Sequence, residues 1–143
     1  MSDSVLIFAE QQGGKITRPT WEALAAGQRM AEDIKGSATA LVLGGQVAAL
    51  AAELAAADLT EVAGLESPAL AEYTPDGYAA ALAEVIRTRQ PRYVVFSHTY
   101  QVRDFTPKLA VALRRWLPGE TFERIYFGIV MRRVAGVSRP ATR

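Results

Sequence analysis

Three short apolar runs constrain this chain more than any other feature. They are Val5-Leu6-Ile7-Phe8-Ala9, Thr39-Ala40-Leu41-Val42-Leu43 and Tyr93-Val94-Val95-Phe96. A strand with one face in water alternates apolar and polar residues. An uninterrupted run instead marks a strand buried on both faces, as in a parallel sheet covered by helices. The segments between the runs have helical spacing. After the turn at Gly13-Gly14-Lys15, Pro19 and Thr20 mark a helix start, and Ala23, Leu24, Gly27, Met30, Ala31 and Ile34 share one face. Gly44-Gly45 closes the second run and an Ala-rich helix follows from about Gln46, with Val47, Leu50, Ala51 and Leu54 inward. Thr60-Glu61-Val62-Ala63 is short and mixed, which fits an edge strand. Thr74-Pro75-Asp76 opens a third helix, with Tyr78, Leu82, Val85 and Ile86 as its stripe, and Pro91 ends it. Asp104 is expected to cap a fourth helix, with Pro107 in its first turn and Phe105, Leu109, Ala112, Leu113 and Trp116 as its apolar face.

The order is β-α-β-α-β-α-β-α followed by a tail. Alternating elements give an α/β fold: a three-layer parallel sheet with helices on both faces. Right-handed crossovers, with the winding reversing after the third strand, predict strand order 3-2-1-4, with a C-terminal hairpin added. Residues 1–117 are expected to form the core domain. Residues 118–143 form a basic tail with a short strand or hairpin, either part of the same domain or truncated.

Composition excludes several function classes. There is no cysteine and one histidine, which removes disulfides, thiol nucleophiles and the usual zinc sites. The N-terminus lacks a signal-peptide pattern and no apolar run reaches membrane-spanning length, so a cytoplasmic protein is expected. Residues 1–102 carry 7 Lys/Arg and 12 Asp/Glu, whereas residues 103–143 carry 9 and 3. The basic residues are scattered without a nucleic-acid motif, so they read as solvated or partner-facing surface.

Candidate binding residues sit on the lip of the expected switch point between the first and fourth strands, where open α/β sheets hold ligands. They are Glu10, Gly44, Gly45, Ser97, His98, Thr99 and Tyr100. Each also has a plain structural reading. Polar residues at strand ends solvate the backbone, and Gly-Gly after a strand makes a tight turn. His98 as a general base needs a partner, yet Ser97 beside it points to the opposite face of a strand. No nucleophile elbow, G-x-G-x-x-G or phosphate-binding loop is present.

Several stretches carry a family pattern. These are VLIFAEQQGGKITRPTWEAL, ALVLGG followed by LAAELAAAD, PALAEYTPDGYAAALAEVI and SHTYQVRDFTPKLAVAL. In the last, Arg103, Asp104, Pro107, Lys108, Leu109 and Ala110 match R-D-x-x-P-[RK]-L-A. In this order they resemble the N-terminal domain of the electron transfer flavoprotein α subunit, from Val5 to about Leu113. The segment Thr121 to Gly128 resembles that family's T-F-x-R-x-I-Y-x-G hairpin, but the strand that should precede it is missing or shortened. The resemblance implies a Rossmann-like, adenine nucleotide alpha hydrolase-like fold. It also implies a docking module without its own catalytic site. The expected partner is an electron transfer flavoprotein β subunit, met in part by Ile125 to Val134, and dehydrogenases are reached indirectly. FAD belongs to a C-terminal domain for which this sequence has no counterpart, so no cofactor is expected to bind tightly here, and AMP belongs to the partner. The sequence then reads as a fragment, a truncated product or a free-standing domain. A stand-alone AMP- or ATP-binding protein is the alternative, and a hydrolase built on His98 is a third reading.

Overall fold

The computed structural model describes residues 2–115. The tail 118–143, its expected hairpin and Trp116 lie outside the described residues. The elements are β1 (Ser2–Ala9), β2 (Gln11–Gln12), β3 (Lys15–Ile16), α1 (Arg18–Asp33), β4 (Ser37–Gly44), α2 (Ala48–Leu54), β5 (Glu61–Glu66), a 3₁₀ turn (Pro68–Leu70), α3 (Pro75–Arg89), β6 (Pro91–Val95) and α4 (Tyr100–Arg114).

The main sheet runs β5-β4-β1-β6, all parallel, which is the 3-2-1-4 order expected of the four main strands. The central strands are buried on both faces along Val5–Ala9 and Ala38–Gly44, as their unbroken apolar runs require. The outer strand β5 alternates in burial, as an edge strand does. A separate two-stranded ladder, β2 against β3, forms around Gly13 and Gly14. Both glycines have positive φ, +58° and +76°, a conformation costly for other residues, so the turn read from the sequence is a small hairpin.

Each face of the sheet has its own core. Val5, Ile7, Ala9, Ala38, Ala40 and Val42 point to α1 and α2, where Ala23, Leu24, Met30, Leu50 and Leu54 meet them. Gly27 lets α1 approach closely, since a Cβ there would stand 2.4 Å from Ile7 Cδ1. Leu6, Phe8, Leu41, Leu43 and Val94 point the other way, onto α3 and α4. There the ring of Phe8 packs edge-on against Phe105 (centroids 5.3 Å apart) and Tyr78 (6.3 Å). Helices therefore cover both faces, and the sequence period alone assigned most of the inward positions.

Helix ends follow local chemistry. Thr74 Oγ1 accepts the Gly77 N–H at 3.1 Å and Pro75 opens α3, as expected. The fourth helix departs from expectation. It begins at Tyr100 rather than Asp104, and its cap is Thr99, whose hydroxyl accepts the Val102 N–H at 3.2 Å. Pro107 therefore lies inside α4, where its missing N–H deprives the Arg103 carbonyl of a helical donor.

One surface contact links α3 to the β5 edge and gives a pH-dependent term. Arg89 donates from Nη1 and Nη2 to the two Glu61 oxygens, each at 2.8 Å. That bond, and next the field of the guanidinium, hold the Glu61 carboxyl below its usual pKa against the opposing effect of burial. A folded-state pKa below the unfolded one stabilises the fold at neutral pH, and the gain is lost as pH falls through the folded value. Because both side chains are more than a third exposed, solvent screening keeps the contribution near 0.5 kcal/mol. Glu61→Gln is expected to cost about that much in urea unfolding near pH 7 and to match the parent once the pH has fallen well below the folded-state pKa of Glu61.

Candidate functional site

The C-terminal ends of the parallel strands form one lip, and the strand order reverses between β1 and β6. Glu10 follows β1 directly. Its side chain is only 1% exposed, which is costly for a carboxyl group unless its oxygens are bonded. Thr99 Oγ1 donates to Oε2, and Gln12 Nε2 donates to Oε1 at 3.2 Å. The Glu10 carbonyl accepts the Thr17 N–H at 3.1 Å and the Thr20 hydroxyl at 3.0 Å. Glu10 thus ties together the end of β1, the start of α1 and the start of α4.

The other candidates divide. Ser97 is buried, and its hydroxyl has no hydrogen-bond partner among the described residues. His98 beside it is exposed, so the two side chains are not assembled as a nucleophile and base. Tyr100 is 89% exposed at the first turn of α4. Gly44 is buried, and its carbonyl accepts the Ser67 N–H at 3.0 Å.

Gly45 is the candidate that lines a cavity. This cavity, of about 610 Å³, opens on the same lip. Its walls come from the β2–β3 hairpin (Gln11 to Gly14), the loop after β4 (Gly45, Gln46), the segment after β5 (Pro68, Ala71), and Tyr73, Tyr78 and Gln101 at the starts of α3 and α4. Four of the six glutamines in the chain are among them. Each follows a strand end or opens a helix on this lip, a signal that no motif pattern captures.

The polar groups are partly committed. Gln11 Nε2 donates to the Leu43 carbonyl at 3.2 Å, and its Oε1 accepts the Gly14 N–H at 3.1 Å. Tyr78 donates to the same Leu43 carbonyl at 3.4 Å, and Tyr73 donates to Asp104 at 2.8 Å. Burial, then the bond to Asp104, push the Tyr73 hydroxyl well above its usual pKa. Burial also raises Tyr78. Both hydroxyls therefore remain neutral donors at physiological pH. Gln101 Oε1 is buried and has no partner among the described residues.

Among the described residues, no Lys, Arg or His lines this cavity. A second cavity, about 580 Å³, lies at the opposite end of the sheet and sets Arg29 and Lys35 among Glu32 and Asp58. A model of the electron transfer flavoprotein domain matches residues 5–116. The chain belongs to the electron transfer flavoprotein domain family. Electron transfer flavoprotein subunit alpha of Bacillus subtilis is 32% identical over 123 residues, 86% of this chain and 37% of that protein. Protein FixB of Azorhizobium caulinodans is 32% identical over 124 residues, 83% of this chain and 33% of its own. The acryloyl-CoA reductase electron transfer subunit beta of Anaerotignum propionicum is 28% identical over 116 residues, 81% of this chain and 32% of its own. The chain spans about a third of the length of these curated relatives.

The flavin that this family implies does not fit the described residues. FAD carries a pyrophosphate, which needs cations or a glycine-rich helix start. Among the described residues no cation lines the larger of these two cavities, and α2 after Gly44-Gly45 is only 7 residues long. No electron-transfer step is therefore assigned to this chain's own side chains. Among the described residues, no group of His, Cys, Asp or Glu could hold a metal ion, and no helix is long and apolar enough to cross a membrane.

Proposed function

We propose that the chain is the N-terminal, docking module of an α-type electron transfer flavoprotein. It packs against a β-type subunit and helps position a flavin-bearing domain in a carrier that takes electrons from dehydrogenases. The observation that carries this reading is the match to the family domain over residues 5–116, together with relatives named as α subunits. The fold supports it in a second way. Both sheet faces are closed by helices among the described residues, which leaves the outer surface of the module for a partner. FAD is expected on the α-type C-terminal domain and AMP on the β-type subunit, with no reaction catalysed by this module and a cytoplasmic location.

Size-exclusion chromatography of the chain mixed with an electron transfer flavoprotein β subunit tests the reading. A single peak containing both chains, eluting ahead of either alone, is the expected result. Independent elution at micromolar concentration would remove the docking role.

A further inference from the structure

We propose that this module docks through the outer face of α4, which takes an apolar, acidic-rimmed socket on the β-type subunit, with Tyr100 as the inserted side chain. This rests on the docking role proposed above and adds to it the face and the chemistry of the contact.

Helical geometry defines the face. Val102, Phe105, Leu109 and Leu113 are the buried side of α4. Tyr100, Asp104, Pro107 and Val111, spaced i, i+4, i+7 and i+11, share the opposite side, and all four are exposed. Tyr100 is 89% exposed and Val111 67%. They are two of the three large apolar side chains exposed among the described residues, the third being Trp21 on α1. A tyrosine this exposed makes little contact within its own fold, and tyrosine is among the residues that anchor protein interfaces.

The rim of the face is basic on an otherwise acidic body. Residues 1–102 carry 7 Lys/Arg and 12 Asp/Glu. On α4 and its C-cap the sign reverses. Arg103 and Arg114 flank one side of the exposed stripe, Lys108 and Arg115 the other, and all four are exposed. Asp104 is the one acidic residue of α4, and its carboxylate already accepts the Tyr73 hydroxyl at 2.8 Å. Lys108 is held by Asp76 at 2.8 Å, which leaves the three arginines as the main charges of the rim. The exposed sides of the other long helices mix both signs, with Glu22, Arg29 and Glu32 on α1 and Asp76, Glu84 and Arg87 on α3.

Charge complementarity then selects the occupant. Arginines around an apolar centre match a protein surface with carboxylates around an apolar socket. The rim speeds encounter through complementary potential, and the desolvated aromatic supplies most of the affinity. The arginine fork also fits a carboxylate with two parallel hydrogen bonds. A nucleic-acid backbone would engage the arginines but would give Pro107 and Val111 no matching surface.

Binding kinetics of the full chain on an immobilised electron transfer flavoprotein β subunit provide the test. Tyr100→Ala is expected to weaken the complex about 10- to 30-fold. Arg103→Glu combined with Arg114→Glu is expected to slow association about tenfold at about 50 mM NaCl, a difference that shrinks towards about 500 mM. Trp21→Ala and Arg29→Glu, on α1 across the sheet, are the controls and should stay within about twofold of the parent. The changed α4 residues are exposed, so these variants are expected to keep the fold, which the far-UV circular dichroism spectrum checks. No complex with the parent chain overturns the docking role, and the assignment of α4 with it. A complex that forms but tolerates both Tyr100→Ala and the double charge reversal overturns the assignment of α4 alone. Sensitivity to the charge reversal without sensitivity to Tyr100→Ala also overturns it, since that marks a purely electrostatic contact. Loss with Tyr100→Ala and none with the charge reversal removes the acidic rim and overturns it as well.

Discussion

Replacing Phe105 by alanine is expected to lower the free energy of unfolding by about 3–5 kcal/mol. Phe105 is fully buried on α4 and belongs to the cluster that closes the α3–α4 face of the sheet. Its ring lies edge-on to Phe8 at 5.3 Å and to Phe96 at 5.8 Å, and tilted against Tyr78 at 6.3 Å. Truncation removes those contacts and leaves a cavity between two helices and two strands that cannot all close in on it. In a domain of this size the midpoint of thermal unfolding should fall by on the order of 10 °C or more. Val111, on the same helix but 67% exposed, provides the comparison. Val111→Ala is expected to change stability by less than about 0.5 kcal/mol. Equal losses for the two variants in urea or thermal unfolding would mean that α4 does not pack as described.

Phe105 also shows what the sequence made legible. Its inward position followed from helical spacing with Leu109 and Leu113, and that spacing does not depend on where the helix begins. The start itself did not follow. Asp104 three residues before Pro107 is a stronger local helix-start signal than Thr99 three residues before Val102, because proline rarely sits inside a helix. Packing overrode it. Starting at Tyr100 brings Val102 into the core, and Thr106 donates its hydroxyl to the Val102 carbonyl. The strand order was legible because unbroken apolar runs identify the central strands and mixed ones the edge. Contacts made between distant segments were not. The Glu66 carboxyl accepts the Val47 N–H at the start of α2 from 19 positions away, a pairing no local pattern displays. The cavity was hidden for the same reason: its glutamines are spread from Gln11 to Gln101 and meet only when the strands align. Of the residues proposed for the lip, Glu10 and Thr99 do meet, but in a bond that organises the fold rather than in the cavity wall.

That bond is the basis of the second large effect. Thr99→Val is expected to cost about 3 kcal/mol, although valine nearly matches threonine in shape. The Thr99 hydroxyl does two things at once. It accepts the Val102 N–H at 3.2 Å as the cap of α4, worth about 1 kcal/mol, and it donates to Glu10 Oε2. Without it, one oxygen of a carboxyl group that is 1% exposed loses its donor, a loss of about 1–3 kcal/mol. Among the described residues no Lys, Arg or His forms an ion pair with Glu10, and only the Gln12 amide remains on the other oxygen. Thr99→Ser keeps the hydroxyl and should lose less than about 1 kcal/mol, mainly through the missing methyl group. A cycle that combines Thr99→Val with Glu10→Gln separates the two roles in urea unfolding. The capping loss persists in either background, whereas the part due to Glu10 appears as a coupling of about 1–2 kcal/mol between the sites. Serine and valine variants of equal stability would assign Thr99 a packing role alone. A clear difference would establish that one hydroxyl joins β1 to α4 across the switch point and sets the spacing of the lip on which the cavity opens.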